Sequence, residues 1–144
     1  MILYHLSHTD LDGYTCQLVS KKIYSNGNFY NANYGLEVKI NLLNIINSIK
    51  NSNEKDIFLL ITDLNLTKDE AKQLNTDVNN LNNDGFNIKL QLLDHHGSGQ
   101  NCANKYDWYY LDTTRSATKI TYEYFQDNYN EFNNLCEKDF DLLI

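Results

Sequence analysis

The 144-residue sequence contains no proline, so no proline-rich stretch marks a linker between domains. Cysteine is scarce and odd in number. Cys16, Cys102 and Cys136 lack metal-type spacing and cannot all pair, which fits a reducing, cytoplasmic setting and three small buried apolar side chains. A secretory leader and an apolar run long enough to span a bilayer are both missing, so no membrane partner is expected. Positive charge is in short supply as well. Twelve Lys and Arg stand against 19 Asp and Glu, a net charge of −7. That balance argues against duplex DNA gripped through a basic face. It favours a small phosphorylated ligand held by something other than lysines.

What is present suits one domain. Hydrophobic content of 42% over this length allows burial of roughly two-thirds of the unfolded surface. Asparagine is frequent but scattered, a compositional bias rather than a tract.

Period-two and period-3.6 patterns alternate along the chain. Strands are predicted over residues 2–7, 27–34, 56–62 and 86–93, with a fifth over 107–111. Helices are predicted over 13–25, 36–50, 67–81 and 116–125, and in part of 128–144. Helix 13–25 would turn Cys16, Val19, Ile23 and Tyr24 inward, and helix 36–50 carries a wide apolar face made of Ile40, Leu43, Ile46, Ile49 and their neighbours. Helix 116–125 would bury Ala117, Ile120 and Tyr124. Thr67 with Glu70 forms a capping-box pattern. His5 reads as a packed residue within its strand. The expected fold is α/β: a parallel sheet of about five strands with helices on both faces.

Three apolar strands end in carboxylates or imidazoles. Residues 2–7 run into His8-Thr9-Asp10-Leu11-Asp12-Gly13, residues 57–62 into Asp63-Leu64-Asn65, and Leu92-Leu93 into Asp94-His95-His96. Ligands of parallel sheets bind outside the carboxyl ends of strands. Oxygen and imidazole donors without thiolate suit Mn²⁺, Mg²⁺, Fe²⁺ or Co²⁺ better than structural zinc. Two such ions about 4 Å apart would hold a water as hydroxide and neutralise a phosphoryl group during in-line displacement. Asp63, on the central strand, is placed to bridge them. Residues 112–118, Asp-Thr-Thr-Arg-Ser-Ala-Thr, combine hydroxyls, Arg115 and a helix start at Ser116, all suited to an anion unless they merely cap the helix. Trp108, Tyr109 and Tyr110 are expected in the core, with base stacking as the alternative.

These motifs resemble the DHH phosphoesterase superfamily over nearly the whole chain, with the name-giving triplet at Asp94-His95-His96. The resemblance implies two divalent metals, commonly manganese, and hydrolysis of phosphoester or phosphoanhydride bonds. It implies His8, Asp10, Asp12, Asp63 and His95 as ligands, Asp94 as a ligand or an orienting group, and His96 beside the substrate phosphate. Arg115 and Ser116 would also meet substrate. The nearest resemblance is to members acting on short oligonucleotides or small nucleotides. An inorganic pyrophosphatase and a nucleotide-binding regulatory module are the alternatives, and a homodimer is left open. The family's fourth acidic motif and smaller C-terminal lobe have no counterpart here. Asp139 and Asp141 lack the matching context, so residues 1–144 are expected to be the catalytic lobe alone.

Overall fold

Strand and helix alternate through residues 1–136, the part of the chain that the computed structural model describes. The elements are β1 (Ile2–His8), α1 (Leu11–Lys21), β2 (Asn28–Ala32), α2 (Leu36–Lys50), β3 (Asp56–Thr62) and α3 (Lys68–Asn83). They continue with β4 (Asn87–Asp94), α4 (Gln100–Lys105), β5 (Tyr109–Leu111), α5 (Ala117–Asn128) and α6 (Phe132–Cys136). The five strands form one parallel sheet in the order β2-β1-β3-β4-β5.

That order reverses the direction of winding between β1 and β3. The chain leaves β1 for β2 on one side, crosses back to β3 on the other, then continues outward. Parallel neighbours joined by right-handed crossovers must then carry helices on opposite faces. Apolar packing follows this rule. Val38, Ile45 and Ile49 of α2 and Leu74 and Val78 of α3 cover one face, with Ile57, Leu59 and Ile61 beneath them. Val19 of α1, Ile120 and Phe125 of α5 and Phe132 of α6 cover the other, over Leu3, Phe58 and Leu60. β3 therefore alternates between two cores. Its unbroken apolar run, read in the sequence as buried on both faces, has that cause.

Several predicted details are corrected. α1 begins at Leu11 because Asp10 is its N-cap, accepting from the Gly13 N–H at 2.8 Å, and it ends at Lys21. α2 has the predicted bounds, and only part of its wide apolar face is covered: Val38, Leu42, Ile45, Ile46 and Ile49 are buried. Ile40 and Leu43 are 45% and 48% exposed. At 100° per residue Ile40 lies roughly 200° round from Val38, so both cannot face the sheet. α4 was not expected, since its sequence Gln-Asn-Cys-Ala-Asn-Lys shows no apolar stripe beyond Cys102. In α5, Phe125 is fully buried while Tyr124 is only partly so. The C-terminal helix expected in part is α6, and the rest of that prediction, Asp139 and Asp141 included, lies outside the described residues. All three cysteines are buried, and Trp108 and Tyr109 pack with the core, whereas Tyr110, expected there too, is exposed because its neighbour Tyr109 takes the inward face of β5. Among the described residues no helix is long and apolar enough to cross a membrane.

Candidate metal centre

The carboxyl end of β1 is held by polar groups sealed within the sheet. His5, wholly buried, places Nδ1 2.8 Å from Ser20 Oγ and Nε2 2.7 Å from Thr62 Oγ1. Ser7 Oγ donates to the Gly13 carbonyl at 2.9 Å and lies 2.8 Å from Thr62 Oγ1. β1, β3 and the first turn of α1 are thereby tied at one point. A side chain at Gly13 is excluded, because its Cβ would stand 2.0 Å from the His8 carbonyl oxygen. The tight return after His8 thus requires glycine, and it brings His8 and Asp10 to the same side.

β3 ends in a backbone reversal. Asp63 is 1% exposed and adopts φ +57°, the one non-glycine residue with positive φ among the described residues. Aspartate tolerates the left-handed region better than most residues, at a cost of about 1–2 kcal/mol. The Asp63 N–H donates to the Leu93 carbonyl at 3.1 Å, which fixes the turn against β4. Its carboxylate is directed into the crevice between β1 and β4. Strain of this sort at a buried acidic residue is characteristic of a functional position.

β4 delivers the last set. Asp94 is fully buried, with Oδ1 2.7 Å from His96 Nδ1. His95 Nε2 lies 3.0 Å from Asp63 Oδ1 and 3.4 Å from Asp12 Oδ2. His8 Nδ1 lies 2.9 Å from Asp10 Oδ2 and 3.9 Å from Asp63 Oδ2.

Two groups of potential ligands result: His8, Asp10 and Asp63, and Asp63, Asp94, His95 and His96, each with ligand atoms within 4.8 Å of one another. Asp63 belongs to both. These groups could hold metal ions. Asp94 Oδ2 is buried without a hydrogen-bond partner, and His8 Nδ1 and Asp63 Oδ2, though close to Asp10 and to each other, make no well-directed hydrogen bond, an arrangement that is costly unless a cation satisfies it. Burial first, then the Asp10, Asp12 and Asp94 carboxylates, push the Asp63 carboxyl up to about 9. At Asp10 burial opposes ionisation, but the neighbouring Asp63 carboxyl, the Gly13 N–H and the His8 imidazole outweigh it and hold its carboxyl down to about 2. So many acidic oxygens in one crevice fit a divalent ion.

The remaining sequence-predicted residues are placed differently. Asp12 stands in neither ligand group. Its Oδ1 accepts from the Thr118 N–H at 2.8 Å and the Thr118 hydroxyl at 2.5 Å, and its Oδ2 accepts from the Ala117 N–H at 3.1 Å. The free N–H groups that the α5 start would offer an anion are therefore engaged by Asp12. Ser116 is the N-cap of α5, its hydroxyl accepting from the Lys119 N–H at 3.1 Å. Arg115 donates to Asp112 at 2.8 Å, to the Tyr110 hydroxyl at 2.8 Å and to Glu123. Sequence reasoning missed Tyr34, which it assigned to a strand. Tyr34 lies two residues beyond β2, with its ring centroid 5.1 Å from that of His8 and its hydroxyl 3.3 Å from His96 Nδ1. An aromatic residue just past the strand beside β1 was the available signal.

No protein-family model matches the chain. It is 48% identical over 129 residues to a Helicobacter pylori protein named 3',5'-cyclic-nucleotide phosphodiesterase, covering 90% of this chain and 37% of that one. It is 30% identical over 135 residues to the Bacillus subtilis oligoribonuclease NrnB, covering 88% of this chain and 31% of that one. A crystal structure of an uncharacterised protein from Helicobacter pylori G27 superposes with a TM-score of 0.88 at 49% identity, over 90% of this chain and 37% of that one. The chain thus spans about a third of the length of the relatives it matches.

Proposed function

The chain is related to the DHH-superfamily phosphoesterases, and on that premise we propose that it is the metal-binding catalytic part of a hydrolase acting on phosphodiester bonds of small nucleotides. The observation that carries this reading is the sharing of Asp63 between two ligand groups. Two divalent cations, manganese by preference for a mixed oxygen and imidazole set, would supply Lewis-acid polarisation of the phosphoryl group and an activated water.

The chain's own residues have separate tasks in this reading. His8 and Asp10 would hold one ion and Asp94 and His95 the other, with Asp63 available to both groups. Asp12 fixes α5 beside the centre and keeps its Oδ2 toward His95. His96, half-exposed and oriented by Asp94, faces the substrate side. Arg115 and Ser116, engaged within their own segment, act as scaffold for the loop before α5 rather than as substrate contacts. A 3',5'-cyclic nucleotide and a short oligoribonucleotide are the substrates suggested by the names of the two relatives, the former by the more similar one. The acidic net charge of −7 supports a small substrate over a long polymer.

Calorimetric titration with Mn²⁺ tests the centre directly. Two ions per chain are expected, with at least one lost in Asp63→Ala. Manganese-loaded protein should then hydrolyse a 3',5'-cyclic nucleotide or a diribonucleotide well ahead of pyrophosphate. Absence of manganese binding overturns the metal reading, and preferential release of phosphate from pyrophosphate overturns the diester reading.

A further inference from the structure

Resting on the reading above, we propose that Tyr34 is a substrate-binding residue whose hydroxyl donates a hydrogen bond to a phosphoryl oxygen of the nucleotide. The segment after β2 carries it to the same carboxyl edge of the sheet as His8, since Ala32 pairs with His8 in register. Its ring leans on His8 at 5.1 Å and meets His96 edge-on at 6.0 Å. Its hydroxyl lies between two groups, the Asn65 N–H at 3.4 Å and His96 Nδ1 at 3.3 Å.

The two contacts are not equivalent. His96 Nδ1 is 2.7 Å from a carboxylate oxygen of the buried Asp94, so Nδ1 carries the proton and donates there. A nitrogen that donates to Asp94 does not also accept from Tyr34. The Asn65 N–H fills an acceptor position on the phenol oxygen. The hydroxyl hydrogen is left without an acceptor among the described residues, on a side chain that is 44% exposed. It is a donor that stands beside His8 and His96.

Such a donor answers a need of this site. A phosphoryl group brought to a crevice lined by Asp10, Asp63 and Asp94 requires partners besides cations. The two anion-binding features nearest in sequence are already engaged, Arg115 by Asp112, Tyr110 and Glu123, and the α5 N-terminus by Asp12. His96 and Tyr34 are side-chain donors that stand beside the ligand groups. A phenol also holds its proton at neutral pH more firmly than an imidazole, so it donates throughout the working range.

The test is calorimetric titration of manganese-loaded wild type and Tyr34→Phe with adenosine 5'-monophosphate, with adenosine as the phosphate-free control. Phenylalanine keeps the ring against His8 and removes only the hydroxyl. Affinity for the monophosphate is expected to fall about tenfold or more, the worth of one hydrogen bond to a charged group. Manganese stoichiometry and affinity should stay unchanged, a split that a purely structural role would not produce. Equal monophosphate affinity in the two proteins overturns the proposal. So does wild type that binds manganese but not the monophosphate, while leaving the metal reading intact; failure to bind manganese removes both.

Discussion

His5 is a neutral base locked in the sheet, and its environment makes a pH signature. Burial first, and then the charge of Lys21, lower its pKa to about 3 from the ordinary 6.5. Folded protein therefore binds fewer protons than unfolded protein between those values. The stability it contributes is present above pH 6.5 and lost as pH falls toward 3. The stability difference between wild type and His5→Gln should grow with pH from 4 to 6.5, by up to about 1.4 kcal/mol per unit, and level off above. Urea denaturation at several pH values measures it, and a difference independent of pH would show that His5 is not held neutral. Reading His5 as packed needed only its place in an apolar strand. Its partners, Ser20 and Thr62, come from other elements and had no signature in the sequence. Tyr34 was illegible for the same reason: a tyrosine among asparagines acquires meaning only when β2 is laid beside β1.

At the scale of elements, local chemistry was readable where a short motif closes on itself. The Thr67 side chain and Glu70 form the predicted capping box, with bonds of 3.2 and 2.9 Å. α5 is different, because its N-terminus carries both a local cap, Ser116, and a distant one, Asp12, 106 positions from Thr118. The Thr118 hydroxyl donates to that carboxylate from a buried position. Thr118→Val should lower stability by about 1.5–3 kcal/mol, the range for a hydrogen bond to a charged group. Thermal and urea unfolding measure this, and a loss below a few tenths of a kcal/mol would mean the backbone N–H groups alone hold Asp12. The apolar face of α2 was read wider than the part it buries, because apolar residues run well round the helix and Ile40 and Leu43 are left outside. Only the sheet decides which stripe is covered.

For the whole molecule, the acidic crevice sets folding against function. With no cation bound, the Asp63 carboxyl has a folded value near 9 against an ordinary 3.8. A raised carboxyl value means stability that is full below pH 3.8 and declines as pH rises toward 9. Asp63→Asn should therefore be more stable than wild type in chelator at pH 8, yet gain nothing from Mn²⁺. Wild type in manganese at 100 times its dissociation constant should gain about 2.7 kcal/mol for each ion bound, roughly 5–10 °C in melting temperature apiece. Scanning calorimetry of both proteins with and without the ion decides it. A wild type unmoved by manganese would dissociate the cluster from metal binding.

The sequence by itself determined the α/β class, the alternation of elements and the three strand ends that bear acids and imidazoles. Those are properties of contiguous residues: apolar runs, helical stripes, and side chains that a strand releases where it stops. Tertiary structure alone decided how the strand ends meet. The reversal of winding between β1 and β3 sets His8 beside Asp63, and the left-handed turn at Asp63 directs its carboxylate toward both neighbours. It also decided that Asp12 binds α5, that Arg115 pairs with Asp112 and Glu123, and that Tyr34 stands beside His8 and His96. Each depends on pairings between residues far apart in the chain, which are set by the packing of two apolar layers on one sheet and not by local pattern.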